Sequence, residues 1–476
     1  MRRSLLALAA VAALVLASCG DSDDDTTADT TTPAETTEGG AETTEAPTET
    51  TGGGAETTEA PTETTAAPAG GGGGATNIQA PGECGMGTGE PASGEPIKLG
   101  GIATNVPGID FTWITGMAAA YFECVNDNGG INGRPIEYIA EEEQIDPQQI
   151  ASLATKLIEQ DQVLGLVGNT SIIDCSVNKD YYEAQGYFLI IAGVDHACFT
   201  SPNYSAVNMG PYYSSLGGAQ AALRAGAEGT MVIISPNQPG VDIINSGVVE
   251  FAEENGLEGI SILEDVPIND PAGLAQRLVQ EAGDGGAVVL DFTGPAVLPL
   301  LQAIEQQGLI DSVVWASSTP PNDPSLAAEL STAWNGKFLI NAEFNVLDSG
   351  LPDQEHMNEI QAEYASDIPL SSFAQMGYLN GRVATDALLG IDGDITKESV
   401  NEAFRTITNF TSDLWCKPWY FESTVGQNVS NNTDITVSPM DGGIVKMEEC
   451  FDIAELPGNP LAEIRAAEVE LGLNTG

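Results

Sequence analysis

The side chains able to do chemistry in this 476-residue chain are seven cysteines, two histidines and several hydroxyls and carboxylates that close apolar runs. Cys19 stands apart near the N-terminus. Cys84, Cys124, Cys175, Cys198, Cys416 and Cys450 form an even set, as expected of disulfides in an oxidising exterior. Six cysteines allow 15 pairings. Short separations favour Cys175 with Cys198 and Cys416 with Cys450, leaving Cys84 for Cys124. A metal cluster is not expected, because CxxC is absent and His196 and His356 lie far apart. There is no nucleophile elbow, Walker loop or glycine-rich dinucleotide fingerprint. Paired carboxylates say little where acidic residues are so common. With no catalytic or cofactor-holding constellation legible, neither enzyme activity nor a cofactor is expected.

Thr170 and Ser171 lie between an apolar run and a polar stretch. Hydroxyls and free amides at such a junction hold a carboxylate or another oxygen acceptor, or simply cap a helix. Asp195 and His196 follow another apolar run; Asp195 would repel a carboxylate but accept a cation. Their structural alternative is a surface loop beside Cys198. Tyr212, Tyr213 and Phe292 could wall an apolar ligand or stack on a flat or cationic one, or serve as packing. Thr293 and Gln238 add polar contact, and Asp110 falls in the loop 105–110.

The elements that must position these residues alternate. Strands are expected at 97–103, 136–140, 165–168 and 188–192, with helices at 112–128, 147–159 and 174–185 between them. The pattern restarts with strands at 230–235, 259–263, 287–292 and 313–316, separated by helices at 241–255, 271–282 and 296–307. A strand at 338–342 and helices at 353–364, 373–389 and 397–406 follow. Extended structure returns at Val437 and 443–447. Such alternation predicts an α/β fold with parallel sheets covered on both faces, and its repetition predicts two lobes.

The N-terminus carries an address. Arg2 and Arg3 precede the apolar run Leu5–Leu16, and Leu16-Ala17-Ser18-Cys19 resembles a bacterial lipoprotein box. The resemblance implies a signal peptide over 1–18, cleavage before Cys19, and lipid on that cysteine anchoring the protein to the bacterial cell membrane from outside the cytoplasm. Residues 19–94 read as a disordered linker. Thr, Glu, Pro and Gly dominate it, and GGAETTEAPTETT occurs at 39–51 and again at 53–65. Its Thr and Pro also suit a glycosylated stalk. The formal charge of −54 makes nucleic acid an improbable partner. Nothing after residue 19 reads as a membrane span.

The segment NDNGGINGRPIEYIAEEEQIDPQQIASLATKLIEQDQVLGLVGNTS, 126–171, resembles the type I periplasmic substrate-binding proteins, the leucine, isoleucine and valine receptors of ABC importers. The likeness extends more loosely over 95–452. It implies two Rossmann-like lobes, 95–208 plus 343–410 and 209–342 plus 411–476, joined by three hinge crossings that close on a ligand like a clamp. It implies a small polar solute, an amino acid, amide or related compound, passed by a monomeric receptor to an ABC permease. Ile172 departs from the pattern where amino-acid receptors place a hydroxyl, and Asp195 with His196 departs where they present small residues and a threonine. A sensory receptor feeding a signalling partner and an adhesion lipoprotein remain alternatives.

Overall fold

The computed structural model describes residues 77–421 and 433–473. The leader, Cys19 and most of the expected linker lie outside the described residues. Among the described residues no helix is long and apolar enough to cross a membrane.

The first set of elements runs β1 (Ile97–Val106), β2 (Ile109–Asp110), α1 (Thr112–Asp127), β3 (Ile136–Glu143), α2 (Pro147–Thr155), β4 (Gly165–Asn169), α3 (Asp174–Gln185), β5 (Leu189–Ile191), α4 (Ala197–Thr200) and β6 (Tyr204–Ala206). The second runs α5 (Gly210–Arg224), β7 (Thr230–Pro236), α6 (Val241–Glu254), β8 (Glu258–Glu264), α7 (Pro271–Ala282), β9 (Ala287–Leu290), α8 (Gly294–Gln306), β10 (Val314–Ser317), α9 (Pro324–Glu329) and β11 (Phe338–Ala342). There follow α10 (Pro352–Tyr364), α11 (Ser372–Leu389), α12 (Lys397–Arg405), β12 (Thr433–Met440), β13 (Gly443–Asp452) and α13 (Leu461–Glu470).

Both sheets share one topology. The first is ordered β3-β1-β4-β5-β6, with β2 folded back antiparallel on the end of β1. The second is β8-β7-β9-β10-β11, extended by antiparallel β12 and β13. In each, the strand order reverses beside the first strand, at β1/β4 and at β7/β9. Loops diverge at such a point and leave a crevice at the carboxyl ends of the strands. The sheets are thus parallel in their centres and mixed at their edges.

Local chemistry sets the helix starts. Asp146 caps α2 by accepting from the amides of Gln148 and Gln149, with Pro147 opening the first turn. Asp270 and Pro271 open α7 in the same way. The helix α5 went unforeseen because GPYYSSLGGAQAALR has neither amphipathic period nor helix-favouring composition. It is buried on nearly every side, and a Cβ at Gly218 would stand 2.5 Å from the Ser317 carbonyl, so glycine lets the helix lie against the sheet.

Two boundaries move relative to the sequence reading. Residues 77–94, expected as linker, are docked. The Ile78 and Gln79 amides donate to Asp386, the Gly82 amide donates to Asp353, and Cys84 bonds to Cys124 on α1. Residues 411–421, expected in the second lobe, pack on the first core, because Trp415 and Trp419 need apolar burial and indole acceptors. Their Nε1 atoms donate to the carbonyls of Val207 and Ala206 at 2.9 and 2.7 Å. The chain passes between sheets after β6 and after β11; the third crossing expected from the sequence lies outside the described residues. The other disulfides join Cys175 to Cys198 and Cys416 to Cys450.

Candidate ligand-binding cleft

Six strand ends converge on one cleft of about 760 Å³, its mouth included. Gly108 and Phe111 enter from beyond β1, Thr170 from β4 and Val194 from β5. Gln238 follows β7, Asp291 to Thr293 follow β9, and Pro320 follows β10. Phe373 and Met376 of α11 close the first-sheet side, with the Phe373 ring edge-on to Phe111 at 5.7 Å. The wall is mainly apolar. Among the described residues its acidic groups are Asp291 and Glu343, and no lysine or arginine lines it.

Each carboxylate is built in. Asp291 accepts from the Ser318 hydroxyl at 2.7 Å, and burial pushes its carboxyl up to about 6 against the donors Ser318, Ser235 and Ser215. Glu343 closes β11 and accepts from the Met209 amide at 2.7 Å, so it links the first two passages between the sheets. Burial pushes it up to about 7. Behind it, burial and the Glu343 charge hold Asp434 well above the usual carboxylate range, with Asn341 donating to it. Ser214 of α5 donates to Thr319 Oγ1 at 2.8 Å and accepts from the Thr319 amide at 2.7 Å, fixing the loop after β10.

A crevice between two like sheets at their switch points, with few polar groups in an apolar wall, has the makings of a small-molecule site. The family described as periplasmic binding protein matches residues 114–441, well over half of the chain. The chain belongs to the periplasmic binding protein family. No curated protein matches it in sequence. Among solved structures, the fatty acid ABC transporter substrate-binding protein from Thermomonospora curvata is similar at 22% identity and a TM-score of 0.63, over 76% of this chain and 94% of that one. A branched chain amino acid ABC transporter protein from Thermus thermophilus with bound valine gives 15% identity and 0.65, over 76% and 97%. A solute binding protein from R. palustris in complex with benzoate gives 17% and 0.61, over 77% and 100%. This periplasmic binding protein therefore has the type I fold of these structures, and its membership of the family implies an extracytoplasmic, solute-binding role.

The sequence-predicted residues of this binding protein separate. Thr170, Gln238, Phe292 and Thr293 line the cleft together. Asp110 lies at one extension beside Trp113, where it accepts from the Thr112 amide. Asp195, His196 and Tyr212 line an extension at the other end, which shares Val194, Pro211 and Gln238 with the main cleft. Asp195 accepts from the amides of Ser176 and Ala197, so its charge serves the loop. His196 packs against Tyr212 at 6.2 Å and is pushed down by burial, towards the neutral form. Ser171 and Tyr213 fall outside. The Ser171 hydroxyl donates to the buried Glu143 at 2.8 Å, and the Tyr213 hydroxyl donates to the Gly458 carbonyl at 3.1 Å. Tyr212 and Tyr213, expected in a loop, belong to α5 because the chain turns helical directly after Gly210.

Sequence reasoning missed Asp291, Glu343, Val266, Phe373 and Met376. For the first two a signal existed: each is an acidic residue closing a strand that is otherwise buried, and a carboxylate is rarely buried without a role. Phe373 and Met376 sit on a helix remote in sequence, where nothing local marks them.

Proposed function

We propose that this protein is a receptor anchored by lipid on Cys19, which captures a small solute in the cleft and delivers it, as a monomer, to an ABC permease. The observation that carries the reading is the cleft itself, formed where two sheets of identical parallel order present their switch points to each other. Passages between the sheets at 207–210 and 342–344 supply the hinges. Closure around a solute would bury the apolar walls and present one shape to the permease. The residues proposed to touch the solute are Thr170, Gln238, Phe292 and Thr293, with Asp291 and Glu343 added; Asp110, Asp195, His196 and Tyr212 bear on longer ligands through the extensions. The protein acts by binding, without turnover. The apolar wall turns the expectation of a small polar solute towards one with a sizeable apolar part.

The test is thermal unfolding of the full chain, refolded free of co-purified ligand, across amino acids, amides, polyamines and small carboxylates. A ligand at a hundred times its Kd adds about 2.7 kcal/mol of stability. One chemical class raising the midpoint supports the reading; a flat response across the panel sinks it and favours an adhesion or partner-binding role.

A further inference from the structure

On the reading that the cleft is a solute site, we infer that it selects a solute with an apolar body and an uncharged or cationic, hydrogen-bond-donating head, and that it turns carboxylates away. The first observation is the inventory of charge. Among the described residues, Asp291 and Glu343 face the cleft and no basic side chain does. A carboxylate entering here would lie beside two acidic groups in a mainly apolar wall, with no cation among the described residues to offset the lost water.

The second observation is independent of these two residues. The loop after β4 is where hydroxyls and free amides could have taken a carboxylate, and here those groups are bonded internally. Thr170 donates to the Gly168 carbonyl at 3.1 Å, and Ser171 donates to Glu143. The Ile172 amide donates to the Thr104 hydroxyl at 3.1 Å, and the amides of Ile173 and Asp174 donate to Ser171 Oγ at 3.2 and 3.1 Å. Two acidic residues stand behind this loop as well. Glu143 and Asp174 are both buried, and Asp174 is held by Asn169, Asn178 and Tyr182.

The third observation concerns the body. Ile109, Phe111, Val194, Val266, Phe292 and Phe373 form a continuous apolar lining, and the extensions at either end share walls with it. An elongated hydrocarbon or aryl group fits such a trough, with its donor directed at Asp291 or Glu343. Burial raises both carboxyls, and a donor or cation placed against them reverses that effect.

The experiment compares heads on a constant body. The full chain is titrated at pH 8, by calorimetry and thermal shift, with 3-phenylpropylamine, 3-phenylpropanamide and 3-phenylpropanoate, and with the corresponding 4-methylpentylamine, 4-methylpentanamide and 4-methylpentanoate. The amine or amide of at least one series is expected to bind, with its carboxylate partner at least tenfold weaker. Asp291→Asn is expected to weaken the amine about tenfold more than the amide. If that variant does not fold, the head series on the unaltered protein still decides. A carboxylate binding as tightly as its amine and amide partners overturns the inference and leaves the receptor reading intact. Silence from all three heads in both series, when some other class in the wider panel binds, also overturns it; silence from every class withdraws the receptor reading as well.

Discussion

The loops after β4 and after β9 occupy matching places, each beside the switch point of its sheet, yet they do different work. After β4, Thr170 and Ser171 turn their hydroxyls inward, to a backbone carbonyl and to Glu143, and of the two only Thr170 reaches the cleft. After β9, Asp291, Phe292 and Thr293 all line the cleft. The same kind of signal, polar residues ending an apolar strand, marks a structural joint after β4 and a cleft wall after β9. What separates them is whether a buried partner waits behind the loop. Glu143, unexposed, demands donors after β4.

The sharpest way to break this comparison is to remove that partner. Glu143→Ala leaves the donors of Thr104, Ser171 and Ile145 without an acceptor, and is expected to cost about 3–5 kcal/mol of stability, read from urea unfolding. Any ligand found in the head series should still bind whatever folds. An unchanged midpoint would show that the loop after β4 does not depend on Glu143. Next in size is the clasp between regions. Replacing Cys416 and Cys450 by serine opens a bridge with a sequence separation of 34, and loop entropy predicts a loss of about 3–4 kcal/mol in the same measurement.

Stability against pH sharpens the contrast further. Glu343 is raised from 4.5 to about 7 and Asp291 from 3.8 to about 6, both chiefly by burial. A raised carboxyl favours the folded state below its unfolded pKa, and that contribution disappears as pH rises through the folded value. Each group therefore contributes up to about 3 kcal/mol that is present near pH 4 and lost by pH 7 to 8. Asp434, which lies behind Glu343, acts in the same direction. Relative to Glu343→Gln, the unaltered protein should lose stability between pH 4.5 and 8 in unfolding titrations; parallel curves would remove Glu343 from the account. The smallest effect belongs to Asp195→Ala. It removes the acceptor for the Ser176 and Ala197 amides and should cost about 1 kcal/mol. Affinity for a short ligand should stay within about threefold, and a larger loss would place Asp195 in the cleft after all.

Much of the fold was legible because hydrophobic periodicity and cap residues act locally. The alternation from Ile97 onward, the Asp-Pro starts of α2 and α7, and the three cysteine pairs all followed from neighbours in sequence. The site was legible only in part. Thr170, Gln238, Phe292 and Thr293 could be named from the rule that ligands sit at strand ends. Ser171 and Tyr213 could not be placed away from the cleft, because their partners Glu143 and Gly458 are distant in sequence.

Composition and pattern by themselves determined an acidic α/β protein with two repeated sets of βα units, because periodicity and charge are properties of the chain. Tertiary structure alone decided the sign and shape of the cleft. Asp291 and Glu343 are two acids among 69 until the sheets meet, and Phe373 is one more core aromatic until α11 lies beside Phe111. Tertiary structure also made α5 a helix, since small residues without a period are held helical only by the surfaces that bury them. In each case the physical reason is the same: desolvation depends on what surrounds a group from every side, and a linear pattern records only the neighbours along the chain.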